Sequence, residues 1–147
     1  MTRLSRKADS IFLDPQIFLS LLDKELSRAE RYNHFVSILL FKPEGLAKSE
    51  QRPRLDQLAQ ALGNNVRKSD YVGSIKEGTL GIILSHTGID SAGIVLERLR
   101  FEALIPLSGG PQEIHLKTSY AVCPSEANLL ESLCDLAIQR LRFVGPS

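Results

Sequence analysis

Cysteine and histidine are scarce in this chain, and the few present are badly placed for metal chemistry. Cys123 and Cys134 are the only cysteines, and they lie too far apart for a Cys-x-x-Cys metal or redox motif. They read as two buried, inert thiols packing as small hydrophobes. His34, His86 and His115 are scattered, with no partner at metal-ligand spacing, and read as surface or strand-end residues. A zinc enzyme is disfavoured. Charge of one sign is also missing, since the formal net charge is only +1. A nucleic-acid or membrane surface would call for a basic excess. The longest apolar run, residues 35–41, falls far short of the roughly 20 residues that cross a bilayer. Asp9, Asp14 and Gln16 interrupt anything like a signal-peptide core, so cytoplasmic placement is the default expectation. There is no repeat, no low-complexity tract and no linker.

What remains is an apolar content of 43% in 147 residues, enough for one domain with a substantial core. Asp14-Pro15 is a helix start, with a capping side chain followed by proline at the first helical position. Ile17, Phe18, Leu21, Leu22, Leu26 and Ala29 then recur at helical steps. The near-continuous run 35–41 suits a central strand covered on both faces. Residues 42–53, with Pro43, Gly45 and Pro53, read as a loop. Leu55, Leu58, Leu62 and Val66 define a second helix, weakened by Gly63 and ending near Lys68.

Residues 71–75 and 79–84 form a hairpin with Lys76, Glu77 and Gly78 at its tip. Asp90 can cap a third helix with Ala92, Val95, Leu96, Leu99 and Ala103 inward and Glu97, Arg98 and Arg100 outward. A turn-rich connection through Gly109-Gly110-Pro111, a strand over 114–122 and a last helix lined by Leu130, Leu133, Ala137 and Leu141 complete the chain. The order α-β-α-β-β-α-β-α predicts an α/β (α+β) fold, a central mixed sheet flanked by about four helices, with parallel crossovers plus one hairpin. Residues 1–13 read as an N-terminal extension and 14–147 as a single domain.

The stretch Arg67-Lys68-Ser69-Asp70, the apolar strand after it and the tight turn six residues on resemble the centre of a GGDEF (diguanylate cyclase) domain. Other pieces are similar in order and spacing: Ala29-Glu30-Arg31-Tyr32 before the first strand, Ile83-Leu84 with Thr87 after the hairpin, Leu96-Glu97-Arg98-Leu99-Arg100, Ser119-Tyr120-Ala121, and Asp135-Leu136-Ala137-Ile138 with Arg142 and Gly145. The resemblance implies a nucleotidyl-cyclase palm-like fold. In that family the turn reads Gly-Gly-Asp/Glu-Glu-Phe, and here the five positions are Lys76, Glu77, Gly78, Thr79 and Leu80.

The glycines of the family turn let backbone approach the nucleotide, and its acids serve metal-assisted phosphoryl chemistry, which needs oxygen ligands. Lys76 and Glu77 bring side chains instead, and Gly78 and Thr79 supply no carboxylate. Near residues 41–44, where the family has a pair of aspartates, only Glu44 is acidic. The guanine-reading Asn-Asp has no counterpart, and the N-terminal motif is reduced to Ile11-Phe12-Leu13-Asp14-Pro15-Gln16. Leu80 keeps an apolar residue where the family has Phe. The expectation is a degenerate member that is not an enzyme and needs no cofactor or metal.

The family's inhibitory site is an Arg-x-x-Asp whose Asp lies six residues before the turn, and Asp70 has that register. An arginine in the following helix matches Arg98. Arg67, Asp70 and Arg98 therefore suit cyclic di-GMP: arginine donates twice to guanine or pairs with phosphate, and carboxylate accepts from guanine N–H groups. Simpler accounts stay open. Arg6-Lys7-Ala8-Asp9 satisfies the same pattern, Arg67 suits a helix C-terminus, Asp70 suits a turn, and Arg98 suits a solvated face with Glu102. The alternative to a cyclic di-GMP receptor is a dimerisation or partner-binding signalling module without nucleotide.

Overall fold

The apolar run around residue 38 becomes a strand with neighbours on both edges and helices on both faces. A computed structural model of the chain describes residues 13–108 and 114–143; the expectations for Arg6 and Asp9, for Gly109-Gly110-Pro111 and for Gly145 lie outside them. The elements are α1 (Pro15–Tyr32), β1 (Val36–Glu44), α2 (Lys48–Gly63), β2 (Tyr71–Lys76), β3 (Thr79–Ser85), α3 (Ile89–Leu107), β4 (His115–Cys123) and α4 (Leu130–Phe143). Their order is the one the sequence predicts.

The four strands form one sheet ordered β2-β3-β1-β4. All three ladders are antiparallel, which corrects the expected parallel neighbours. The helical crossovers do join strands of like direction, β1 to β2 across α2 and β3 to β4 across α3. In each case another strand is interposed, the split form of the crossover unit, so no like-directed strands touch. Among the described residues, one parallel contact lies at the outer edge of β2. There Leu13 bridges Gly73 and its carbonyl accepts from Ser74 N–H at 2.8 Å.

Period-two geometry divides the central strand between two cores. Leu39 and Phe41, with Leu80, Ile82 and Leu84 of β3, pack under α2 and α3. Val36, Ile38 and Leu40, with Ile83, pack under α1 and α4. In α1 the Asp14 carboxylate accepts from Ile17 N–H at 3.0 Å, and Asn33 ends the helix in the left-handed conformation. Phe18, Leu22, Leu26 and Ala29 are buried as expected, but Ile17 lies on the exposed side.

Two further corrections concern punctuation. The expected loop over 42–53 is shorter, because β1 runs to Glu44 and α2 already contains Pro53. Beyond Phe41, β1 pairs only with β4, so Pro43 stands on a locally free edge, where proline is tolerated. Pro53 lies in the second turn, where it removes a single helical hydrogen bond. Asp90 is not the cap of α3: Gly88 holds that position, and Asp90 lies in the first turn, where its charge still suits the helix N-terminus. Cys123 and Cys134 are free and buried, and burial pushes the Cys134 thiol up to about 11.

Gly73 and Gly81 face each other across β2 and β3, and the ring of Phe18 lies on both. A Cβ at Gly81 would stand 2.7 Å from Phe18 Cζ, and one at Gly73 2.8 Å from Phe18 Cδ1. The slot seats α1 on the hairpin. Gly81→Ala should therefore cost about 1–3 kcal/mol in urea unfolding, the scale of overpacking. In a Phe18→Leu background the penalty should shrink, because the two positions share one contact. Equal penalties in both backgrounds would show that the ring is not what these glycines accommodate.

Candidate functional site

The loop between α2 and β2 is where the charged residues gather. Asn65 Nδ2 donates to Ala61 O at 2.7 Å, Val66 is buried, and the chain then turns through residues 67–70. Asp70 N–H donates to Arg67 O at 3.0 Å, and Asp70 Oδ2 accepts from Arg67 N–H at 2.9 Å, closing the turn from both sides. The Arg67 guanidinium folds back over the same carboxylate, with Nε on Oδ2 at 3.2 Å and Nη2 on Oδ1 at 3.1 Å.

Arg67 also reaches the end of β3. Its Nη2 donates to Ser85 O at 2.8 Å and Thr87 Oγ1 at 3.0 Å. Between those residues His86 has φ of 53°, a left-handed conformation that lets flanking polar groups face Arg67. The His86 ring stacks on His34 at 4.0 Å between centroids. Thr87 in turn accepts from Ser37 Oγ at 2.6 Å through its carbonyl, which ties the node to the central strand. Neither histidine is placed among metal-ligating groups, and among the described residues no three His, Cys, Asp or Glu side chains form such a group.

The Asp70 side chain is 2% exposed and that of Arg67 55%. The carboxylate lies beneath the guanidinium with both oxygens engaged. In this state Asp70 positions Arg67, and its carboxylate is turned to that guanidinium. Arg98 arrives from α3, exposed, with Nη1 donating to Asn65 O at 3.1 Å, two residues from Arg67. The three expected residues do gather on one loop, with two arginines at its surface and the acid below. Thr87, Ser85 and Asn65 complete this arrangement. Of these, only Thr87 carried a sequence signal, because backbone carbonyls leave none.

Lys76, Glu77, Gly78, Thr79 and Leu80 are at the far end of β2, about 20 Å away at strand rise. Lys76 pairs with Thr79, Gly78 turns the chain at φ of 81°, and Leu80 is buried in the core under α2 and α3. Thr79 is fully buried, and its hydroxyl lacks a hydrogen-bond partner. A groove of about 470 Å³ opens beside the tip, lined among others by Lys42, Glu44, Gln51, Leu55, Glu77 and Gly78. In it Glu44 is flanked by Lys42 Nζ at 3.6 Å and Lys117 Nζ at 3.5 Å.

No family model matches this sequence, and no curated protein matches it. Solved structures do match the fold. A DGC protein from Thermotoga maritima is similar with a TM-score of 0.72 at 22% identity, over 90% of this chain and 95% of that one. The GGDEF domain of DgcB from Caulobacter crescentus, in complex with c-di-GMP, is similar at 0.72 and 15%, over 97% and 90%. Diguanylate cyclase SiaD from Pseudomonas aeruginosa, in complex with its activator SiaC, is similar at 0.78 and 16%, over 93% of this chain and 56% of that one. The chain has the fold of GGDEF domains. No helix among the described residues is long and apolar enough to cross a membrane.

The ion pair carries a structural consequence independent of any ligand. Arg67→Ala would leave the Asp70 carboxylate buried without its counter-charge, at a cost of about 2–4 kcal/mol in chemical denaturation. The double variant with Asp70→Asn should lose less than the sum of the singles. Simple additivity would show that the two side chains do not act as one unit.

Proposed function

We propose that this chain is a non-catalytic GGDEF-like domain that binds cyclic di-GMP at the α2–β2 loop. The observation that carries the reading is the meeting of Arg67 and Arg98 on that loop, their guanidinium groups at the surface and braced by backbone carbonyls. A guanidinium fixed in this way loses little freedom on binding: Arg98, held through Nη1, can donate in a pair from Nε and Nη2 to guanine O6 and N7 or to phosphate, while Arg67, with Nε and Nη2 engaged, offers Nη1 and its face for stacking on a purine. Asp70 acts from beneath, holding Arg67 flat. It can take guanine N–H groups only by exchanging them for the guanidinium. The similarity in fold to a GGDEF domain in complex with c-di-GMP agrees with this ligand class.

Loss of catalysis rests on donor chemistry at the hairpin. A two-metal phosphoryl transfer needs several oxygen ligands around its cations. Here Glu44 is the acid at the aspartate-pair position, and two ammonium groups already neutralise it. Gly78 and Thr79 add no carboxylate. The residues do not fit a pair of divalent cations.

A second reading, an interaction or dimerisation module without nucleotide, draws on the engagement of Asp70. If the ion pair serves only the fold, the loop needs no ligand. Calorimetric titration with cyclic di-GMP separates the two. Binding is expected, with Arg98→Ala weakening it by roughly 1.5–3 kcal/mol, the scale of a lost charge-assisted contact. Arg67→Lys, which keeps a cation over Asp70 but loses the fork, should also weaken it. Arg6→Ala should not. An absence of heat, or equal affinity in the Arg98→Ala protein, would favour the second reading.

Turnover is the other test. Purified protein with GTP and magnesium or manganese should yield no cyclic di-GMP by chromatography. Metal-dependent product would overturn the non-catalytic assignment.

A further inference from the structure

The end of the sheet that holds Arg67 also carries two rings that belong to neither core. His34 and His86 stack with centroids 4.0 Å apart and planes 20° from parallel. Both stand outside the two buried clusters. Among the described residues neither imidazole makes a hydrogen bond, and His34 Nδ1 is buried without a partner. A histidine kept for its nitrogens would have them paired. These two rings are held by their faces.

Both backbones are fixed. His34 N–H donates to Ala29 O at 3.1 Å at the end of α1, and Thr87 N–H donates to Phe35 O at 3.3 Å, tying the two segments together. His86 has φ of 53°, a region that residues other than glycine seldom occupy. It is held there because Ser85 O and Thr87 Oγ1, on either side of it, accept from Arg67 Nη2. His86 is exposed although one face of its ring lies on His34, which leaves the other face to solvent.

We propose that the open face of His86, backed by His34, is a stacking surface for a purine, and that it takes the second guanine of the ligand held by Arg67 and Arg98. This rests on the reading that cyclic di-GMP binds at the α2–β2 loop. That ligand carries two guanines. Arg98 can fork onto one guanine edge or a phosphate, and Arg67 has one nitrogen and its face to offer. Together they serve one base and the phosphates, and the second base would be left in water. His86 is the chain neighbour of both Arg67 acceptors, about 3.8 Å from each between Cα atoms, so its ring lies within the span of a dinucleotide. A ring already packed on a second ring gives up little freedom when a base joins the stack. Stacking uses the face of a purine and needs no hydrogen bond from the histidine nitrogens.

Calorimetric titration of wild-type, His86→Asn and Arg98→Ala proteins with cyclic di-GMP tests this, with the His86 ring protons of the wild type followed by NMR. Asparagine tolerates the left-handed conformation and lacks the ring, so the urea midpoint of His86→Asn should match the wild type. Its affinity should fall roughly five- to 150-fold, the scale of one base–aromatic stack. The Cδ2 and Cε1 protons of His86 should move upfield as ligand is added, because a base then lies over the ring. A residue that only shapes the loop would not show that shift. Binding that is weakened by Arg98→Ala but unchanged by His86→Asn, or ring protons that stay in place, would overturn this inference and leave the arginine site standing. No binding by the wild type would overturn both.

Discussion

The two-sided burial of β1 is the constraint around which the other elements are arranged. Its side chains from Val36 to Phe41 are buried, alternating between the core under α2 and α3 and the core under α1 and α4. Its backbone pairs with β3 on one edge and β4 on the other. A strand so placed needs helices on both faces: the crossover helices α2 and α3 cover one, and α1 and α4 cover the other. In the order β2-β3-β1-β4 each crossover steps over one strand, and the three ladders are antiparallel.

The Arg67 node is a second-order consequence of the same geometry. The α2–β2 loop and the end of β3 come together at one end of the sheet, and each leaves polar backbone that needs a partner. Arg67 satisfies Ser85 O and closes on Asp70, while Thr87 carries the network to Ser37 in the central strand. A residue pair with this much structural work is not evidence of a ligand by itself. Arg98 differs: its exposed side chain extends from α3 to the same loop although the helix does not need it for packing.

Element types were legible in the sequence because each element is amphipathic at its own period or buried throughout, as with 36–41 and the α3 face from Ala92 to Ala103. Strand adjacency was not, because helical crossovers specify direction and say nothing about which strand is interposed. The boundaries failed at Pro43 and Pro53 for local reasons: Pro43 stands on a free strand edge where its missing N–H costs little, and α2 continues through Pro53 at the loss of one hydrogen bond near its start. For the candidate site, register pointed to Arg67 and Asp70, and the likeness of the segment 96–100 pointed to Arg98. The burial of Asp70 beneath Arg67 could not be read, because a bidentate pair and an open ligand site share the spelling Arg-x-x-Asp.

The two ends of β2 differ in how far the fold commits their side chains. At the hairpin, Leu80 faces the core and is fully committed to packing, whereas Lys76 and Glu77 are exposed and free to vary without cost to stability. Nothing in the sheet depends on carboxylates at the turn, since Gly78 supplies the positive φ and the strands supply the rest. At the opposite end the position is reversed. Asp70 is buried and Arg67 braces two segments, so these residues are held by the fold whether or not a nucleotide is ever bound. Retention of Arg67 and Asp70 therefore carries less functional weight than retention of Arg98. Arg98 makes one hydrogen bond to a loop carbonyl at the surface, and its removal would cost the fold little. The functional question turns on that third residue, which has the weakest structural reason to be there.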